Sequence, residues 1–172
     1  MSHFPVFPFI CVSFCVLALS LSSGCGGPER PPGLPPLFPV SLTVTQEGAP
    51  LADATIALRC AENSMTWTIG GRTDDRGVVA LWTHGRFRGA PAGTFKVTIS
   101  KMVNEGESEM LAALDRGDSA AAARIEVNSF SYVQEEYESF ETTPVEIEIT
   151  RRDRMIEIDA GPAARISRPY MR

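Results

Sequence analysis

Apolar and polar residues alternate in several short stretches between Val40 and Gly161, and this two-residue period predicts strands with one buried face. In the first stretch, Val40, Leu42 and Val44 alternate with serine and threonine. Turns rich in glycine, proline and aspartate separate it from the later stretches. Those are ATIALRC, TWTIGGRT, GVVALWT, FKVTISK and PVEIEITRRDRMIEIDAG, the last of which predicts a hairpin. The expected fold is all-β: an antiparallel sandwich of about seven strands.

The alternation is interrupted between residues 107 and 126, where strong helix formers replace β-branched residues. The sequences EMLAAL and AAAARIE predict one or two short helices, with Ser108 as an N-cap and Gly117 as a break. We therefore expect a short helical insertion before the final hairpin.

A continuous run of apolar and small residues at positions 9–21 precedes the strand region. It is too short to span a bilayer as a helix but has the length of a signal-peptide core. Small residues at positions 22–24 lead into Cys25, an arrangement that resembles the lipobox of bacterial lipoproteins. The resemblance implies that residues 1–24 are a signal peptide cut before Cys25 and that the Cys25 thiol carries diacylglycerol. The alternative is an ordinary cleaved signal that ends near a cysteine.

Acylation of Cys25 and removal of the signal would leave Cys60 as the sole thiol of the mature chain. No intramolecular disulfide is therefore expected. Cys60 ends the second predicted strand, where a cysteine is more typical as a small buried hydrophobe than as a reactive thiol.

Residues 25–37 are dense in proline and glycine and have no periodic apolar face. After the lipidated cysteine they predict an extended, polyproline-like tether, which would hold a domain up to roughly 35 to 40 Å from a membrane surface. The predicted sandwich follows at 38–161, and residues 162–172 form a C-terminal tail. The sequence thus predicts one domain on a short, lipid-anchored stalk.

Three motifs occur in a fixed order along residues 40–101: VSLTVTQEGAPLADATIAL, TDDRGVVAL and APAGTFKVTISK. This order resembles the carboxypeptidase regulatory-like domain, a transthyretin-like sandwich of bacterial envelope proteins. The positions that match the pattern of that family are turn and core residues, namely Gly48, Pro50, Leu51, Ala54, Thr73, Asp74, Gly77, Pro91, Gly93 and Val97. The resemblance therefore implies an immunoglobulin-like or transthyretin-like fold and does not identify a ligand.

The formal charge of -5 lies entirely outside residues 1–24 and gives no reason to expect a nucleic-acid partner. Beyond the predicted signal, His84 is the sole histidine, and the sequence carries no HExxH, GxSxG or phosphate-loop motif. Asp74 and Asp75 lie in a turn without the alternating ligands of a calcium loop. We therefore expect no catalytic residues, no metal and no cofactor, and a hydrolase dependent on His84 is the less favoured alternative.

The acidic and aromatic run around residue 135 is the most distinctive candidate surface, because this mixture suits a protein or cationic partner. Its alternative is a solvated loop without a partner. The predicted interaction residues are Tyr132, Glu135, Glu136, Tyr137, Glu138 and Phe140.

A second candidate surface consists of Trp67, Trp82 and His84. Exposed indole rings would stack on sugar rings, whereas aromatic residues within strands are more often core residues. The exposure of the two tryptophans therefore decides between a sugar contact and a packing role.

These patterns together predict a lipid-anchored cell-envelope protein whose sandwich is a non-catalytic interaction or structural module facing the periplasm. Its partners would be the membrane, through the lipid, and an envelope protein or polysaccharide. Gly26 follows the cysteine in place of the aspartate that retains lipoproteins in the inner membrane of some bacteria, which favours the outer membrane. The alternative function is a carbohydrate-binding module that uses exposed aromatic side chains.

Overall fold

A computed structural model of the chain describes residues 29–61 and 67–169. It divides the chain into one unit that ends at Pro32 and a second that begins at Gly33. The predicted signal peptide and Cys25 lie outside the described residues. The fold described is that of the second unit.

Strands dominate the described part of the second unit. They are β1 (Ser41–Gln46), β2 (Ala49–Pro50), β3 (Thr55–Cys60), β4 (Ile69–Arg72), β5 (Val78–Ala80), β6 (Trp82–Thr83), β7 (Phe87–Arg88), β8 (Gly93–Ser100), β9 (Met102–Glu105), β10 (Asn128–Ser131), β11 (Glu146–Ile149), β12 (Met155–Asp159) and β13 (Ile166–Arg168). Two α-helices, α1 (Glu107–Asp115) and α2 (Ser119–Ala122), and a 3-10 helix at Glu135–Glu138 accompany them.

These strands form three sheets. The largest has six strands in the order β11-β8-β3-β4-β6-β7, and the second places β1 between β12 on one side and β2 and β5 on the other. A smaller sheet has the order β13-β10-β9. All pairings are antiparallel except that of β1 with β12. The prediction of an all-β, mainly antiparallel sandwich is therefore confirmed.

The core lies between the inward faces of the two larger sheets, because alternate residues of each strand point to the same side. On β1 the buried residues are Leu42 and Val44, and on β3 they are Ile56 and Leu58. The neighbouring strands β5, β8, β11 and β12 add Val79, Phe95, Val97, Ile99, Ile147, Ile149 and Ile158 to the same cluster. Burial of each such side chain stabilises the fold by about 1.5 to 3 kcal/mol.

The closing segment does not form the hairpin that its sequence predicted. Strand β11 pairs antiparallel with β8, with Ile147 opposite Phe95, whereas β12 pairs in parallel with β1, with Ile156 opposite Leu42. The two strands therefore belong to different sheets, and the turn between them is a crossover. The prediction was wrong because alternation marks a buried face without specifying which strand completes it.

The helical insertion is present between β9 and β10, as predicted, but its first cap is different. Gly106 is the N-cap of α1, and the predicted cap Ser108 lies inside the helix. Asp118 caps α2 with a side-chain oxygen that accepts a hydrogen bond from the Ala121 N–H at 2.9 Å. Gly117, with φ +75°, provides the break between the two helices.

Candidate functional site

A cavity of about 170 Å³ opens at one end of the six-stranded sheet. Three aromatic rings, those of Phe38, Trp67 and Phe95, form part of its wall. Proline and aliphatic side chains complete most of the remainder, and Cys60 and Arg151 also line it. A largely apolar, partly open cavity with one cationic side chain has the composition of a small-molecule binding pocket.

Backbone pairing explains why this wall forms. Phe38 and Ala90 exchange two hydrogen bonds, with N to O distances of 2.8 and 3.1 Å, so the chain is fixed where it enters the domain. This contact carries Pro35 and Pro36 into the cavity wall. On the opposite side, β3 ends with Cys60 directly across from Phe95 of β8. The last residues of the predicted tether therefore belong to the folded unit.

Trp67 and His84 lie together at this end of the sheet. Their ring centroids are 5.1 Å apart with an interplanar angle of 76°, which is an edge-to-face contact. His84 has a positive φ of 54°, and its N–H donates to the Thr68 carbonyl oxygen at 2.7 Å. The half-buried Trp67 thus contributes its ring to both the cavity wall and the His84 contact.

Trp82 lies on the solvent side of β6. It is 40% exposed, whereas its neighbour Thr83 is fully buried, so Trp82 points away from the core. The ring contact at this end of the sheet is that of Trp67 with His84. Of the two tryptophans, Trp82 has the exposure that a sugar-stacking ring needs.

The acidic run is joined to the C-terminal strand by Arg168. The guanidinium of Arg168 contacts Glu135 at 3.3 Å and Glu138 at 2.7 Å, and these contacts raise its pKa. The Ser131 hydroxyl donates a further hydrogen bond to Glu138. Because the side chains of Arg168 and Glu138 are 25% and 21% exposed, this pair is screened less than the surface ion pairs.

The tyrosines of the acidic run have different positions. Tyr137 is 9% exposed and belongs to the core cluster, and its burial raises the pKa of its phenol. The prediction that Tyr137 is part of an exposed surface was therefore wrong: its ring packs inward against Gly161, where an added Cβ would lie 2.3 Å from the phenol oxygen. Tyr132 is half-buried and donates to Glu105 at 3.0 Å. The pKa of Glu105 is lowered by Arg165 and by this phenol.

The remaining members of the run lie at or near the surface. Glu136 is exposed, and Phe140 is half-buried beneath the Arg59 guanidinium, which lies 4.1 Å from the centre of its ring. Arg59 also contacts Glu141 at 3.2 Å. The exposed part of the predicted interaction surface is therefore centred on Glu135 and Glu136, and much of the other charge is paired within the domain.

The described residues contain neither a membrane-spanning helix nor a cluster of metal-binding side chains. In 29–61 and 67–169, no helix has the length and hydropathy needed to cross a bilayer. Over that same part of the chain, no group of three His, Cys, Asp or Glu side chains is placed to hold a metal ion.

The comparisons with known proteins identify no relative. No protein-family model matches the chain, and neither a curated protein nor a solved structure matches it.

Sequence reasoning missed the cavity and the Arg168 contacts. The cavity wall combines residues that are distant in the sequence, from Pro35 to Arg151, and no local pattern joins them. Arg168 lies in the predicted tail between Ser167 and Pro169. The local sequence there does not predict which acidic residues Arg168 contacts. Pairing of β13 with β10 brings it to the acidic run.

Proposed function

We propose that this chain is a lipid-anchored cell-envelope protein whose β-sandwich is a non-catalytic interaction or structural module. The lipobox-like sequence at Cys25 supports the anchor, and the motif order that resembles the carboxypeptidase regulatory-like domain supports the module. In this proposal, the acylated cysteine fixes the domain at a membrane, with the outer membrane favoured. The exposed loops then meet an envelope protein or polysaccharide in the periplasm.

The observation that carries the proposal is the position at which folded structure begins. The second unit starts at Gly33, eight residues after Cys25, and Phe38 is already bonded to Ala90. In an extended polyproline conformation the intervening residues would reach about 25 Å. Such a stalk is shorter than the sequence predicted, because Pro35 and Pro36 line the cavity of the domain. It holds the domain close to the membrane while clearing the lipid head groups.

Crosslinking in intact cells tests this function. The tagged chain is compared with Cys25→Ala, which removes the acylation site, and with Cys60→Ala, a matched loss of a thiol within the domain. We expect one reproducible partner with the native chain and with Cys60→Ala, and loss of that partner with Cys25→Ala. Equal recovery from all three proteins would contradict a function that depends on anchoring.

The surface of the acidic run gives a second arm of the same experiment. Glu136→Lys reverses an exposed charge at its centre, and Asp75→Lys reverses an exposed charge in the turn between β4 and β5 as the control. We expect only Glu136→Lys to reduce partner recovery, because charge reversal at an interface introduces repulsion. Retention of the partner by Glu136→Lys would assign the contact to another face.

Carbohydrate binding is the second candidate function, and the 40% exposure of Trp82 favours it. An indole at this exposure offers a face on which a sugar ring stacks. A polysaccharide pulldown should recover the native chain and Trp67→Phe, whose ring lies on the cavity side, but not Trp82→Ala. Equal recovery of Trp82→Ala would reject this candidate.

A further inference from the structure

The cavity has the size and the wall of a site for one aromatic ring. Its volume of about 170 Å³ is comparable with that of apolar protein cavities that take up benzene. The rings of Phe38, Trp67 and Phe95 offer faces and edges for aromatic contacts, which add to the free energy of burying apolar area. An uncharged aromatic group therefore fits this space better than a hydrated polar one.

Arg151 adds charge to this apolar wall. It is exposed at the cavity and makes no ion pair with any residue that the structure describes. A guanidinium presents parallel N–H donors that match a carboxylate in two-point contact. Among residues 29–61 and 67–169, no aspartate or glutamate lines the cavity, and Arg151 is the charged side chain of that part of its wall. A ligand with an anionic end complements this wall, whereas a cationic ligand is repelled.

We propose that the cavity binds a small aromatic carboxylate, with its ring between the aromatic side chains and its carboxylate on Arg151. The inference rests on the sandwich acting as a binding module and is independent of the lipid anchor. Such a ligand buries its apolar part at the end of the six-stranded sheet and keeps its charge at the solvent boundary. The last tether residues, Pro35 and Pro36, form part of the site.

Binding is measured by calorimetric titration with benzoate, benzyl alcohol and acetate. The protein is the full chain in a mild detergent, and each ligand is also titrated into the same detergent without protein. We expect benzoate to bind more tightly than benzyl alcohol, and acetate to show no binding because it lacks a ring. Absence of benzoate binding, or binding of acetate equal to that of benzoate, would overturn the proposal.

Two arginine variants test the anionic end of the site. Arg151→Gln should weaken benzoate binding roughly three- to fivefold, the range of an exposed ion pair, and should leave benzyl alcohol unchanged. Arg152→Gln is the matched control, because Arg152 is exposed in the same turn but does not line the cavity. Equal affinity of native and Arg151→Gln proteins for benzoate would overturn the role of Arg151.

Cys60 reports the location of the ligand. Its thiol is half-buried in the cavity wall, so a bound ring should slow its alkylation by iodoacetamide, as followed on the Cys60 peptide by mass spectrometry. Benzoate that binds without slowing this reaction would overturn the assignment to the cavity. The binding measurements do not depend on a lipid at Cys25, and detection of that lipid does not depend on ligand binding. The two proposals can therefore be contradicted separately.

Discussion

Thr73 joins two turns of the sandwich through one buried hydroxyl group. Its Oγ1 donates to the Leu51 carbonyl at 2.7 Å and accepts from the Ala54 N–H at 2.8 Å. Its backbone N–H also donates to the Ala54 carbonyl at 2.9 Å. Thr73 is 3% exposed, so these backbone groups have no ready access to water as a substitute partner.

We expect Thr73→Val to lower the free energy of unfolding by about 2 to 3 kcal/mol, because it keeps the shape of the side chain and leaves two buried backbone groups without a partner. Urea unfolding measures the change. Thr55→Val, at an exposed position of β3, is the control and should change stability by less than about 0.5 kcal/mol. Similar stabilities for the two variants would show that the Thr73 hydroxyl does not hold the turns.

Tyr137 gives the sandwich a predicted dependence on alkaline pH. Burial, followed by the charges of Glu136 and Asp159, raises the pKa of its phenol above the ordinary value of 10.0. The native state therefore holds the phenol proton more tightly than the unfolded chain does. The stability associated with this difference is fully present below pH 10 and is lost as the pH rises through the higher native pKa.

Replacement of Tyr137 by phenylalanine should reduce this alkaline loss. We expect the free energy of unfolding to fall less steeply between pH 9 and 11 in Tyr137→Phe than in the native chain. Urea titrations at each pH measure the slope, and comparison at pH 7 corrects for any change in packing. Parallel curves for the two proteins would contradict the assignment of the pH dependence to this phenol.

At the scale of elements, Arg168 holds β13 against the 3-10 helix. Its two contacts, with Glu135 and Glu138, join the C-terminal strand to the acidic run. On its other side, Arg165 contacts Glu105 of β9 at 2.8 Å and lies 3.6 Å from the centre of the Phe130 ring. The small sheet β13-β10-β9 is thus tied together by side chains as well as by backbone bonds.

Arg168→Met should loosen β13 without unfolding the sandwich. The loss of a half-buried, hydrogen-bonded pair corresponds to about 1 to 2 kcal/mol, so amide exchange in β13 should accelerate by about 5- to 30-fold. Exchange in β3 and β8 should remain unchanged, and Arg152→Met, which removes an exposed arginine with no ion pair among the described residues, should have no effect. Uniform acceleration across all strands would mean that Arg168 supports global stability instead.

The main strands of the two larger sheets could be predicted from sequence, but the small sheet β13-β10-β9 and several strand pairings could not. Alternation located β1, β3, β8, β11 and β12, because each has one buried face. The assignment of β11 and β12 to different sheets depends on contacts with β8 and β1, which lie far away in the sequence. Only long-range packing decides such pairings.

The glycines of β4 show that the sequence also does not determine the structural role of a single residue. Two successive glycines are typical of an irregular or bulged strand, yet Gly70 and Gly71 both lie within the ladder. A Cβ at Gly70 would lie 2.1 Å from the Ile56 carbonyl oxygen, and one at Gly71 would lie 2.6 Å from a Val79 methyl group. Their role is close packing, which the sequence alone does not distinguish from a bulge.

The candidate site was predicted less completely than the fold. The sequence named Trp67, Trp82 and His84, and the structure places the rings of Trp67 and His84 in contact. It missed the cavity because strands and a bend from different parts of the chain assemble the wall. The tertiary structure is therefore needed to tell which residues of a candidate surface are exposed and which are buried.

At the scale of the whole molecule, a predicted acylation site at Cys25 precedes a folded domain that begins at Gly33. Backbone pairing fixes this domain from Phe38 onward. Pro35 and Pro36, which the sequence assigned to the predicted tether, line the cavity of the domain. The end of the predicted tether is therefore part of the folded unit.

The most direct test of this account is the mass of the N-terminal peptide of the protein recovered from the membrane fraction. We expect a chain that begins at Cys25 and carries a diacylglycerol on its thiol, and we expect Cys25→Ala to leave the membrane fraction. Cys60→Ala should remain there, because that thiol lies in the domain. An unmodified Cys25, with equal membrane recovery of native and Cys25→Ala chains, would contradict the lipid anchor.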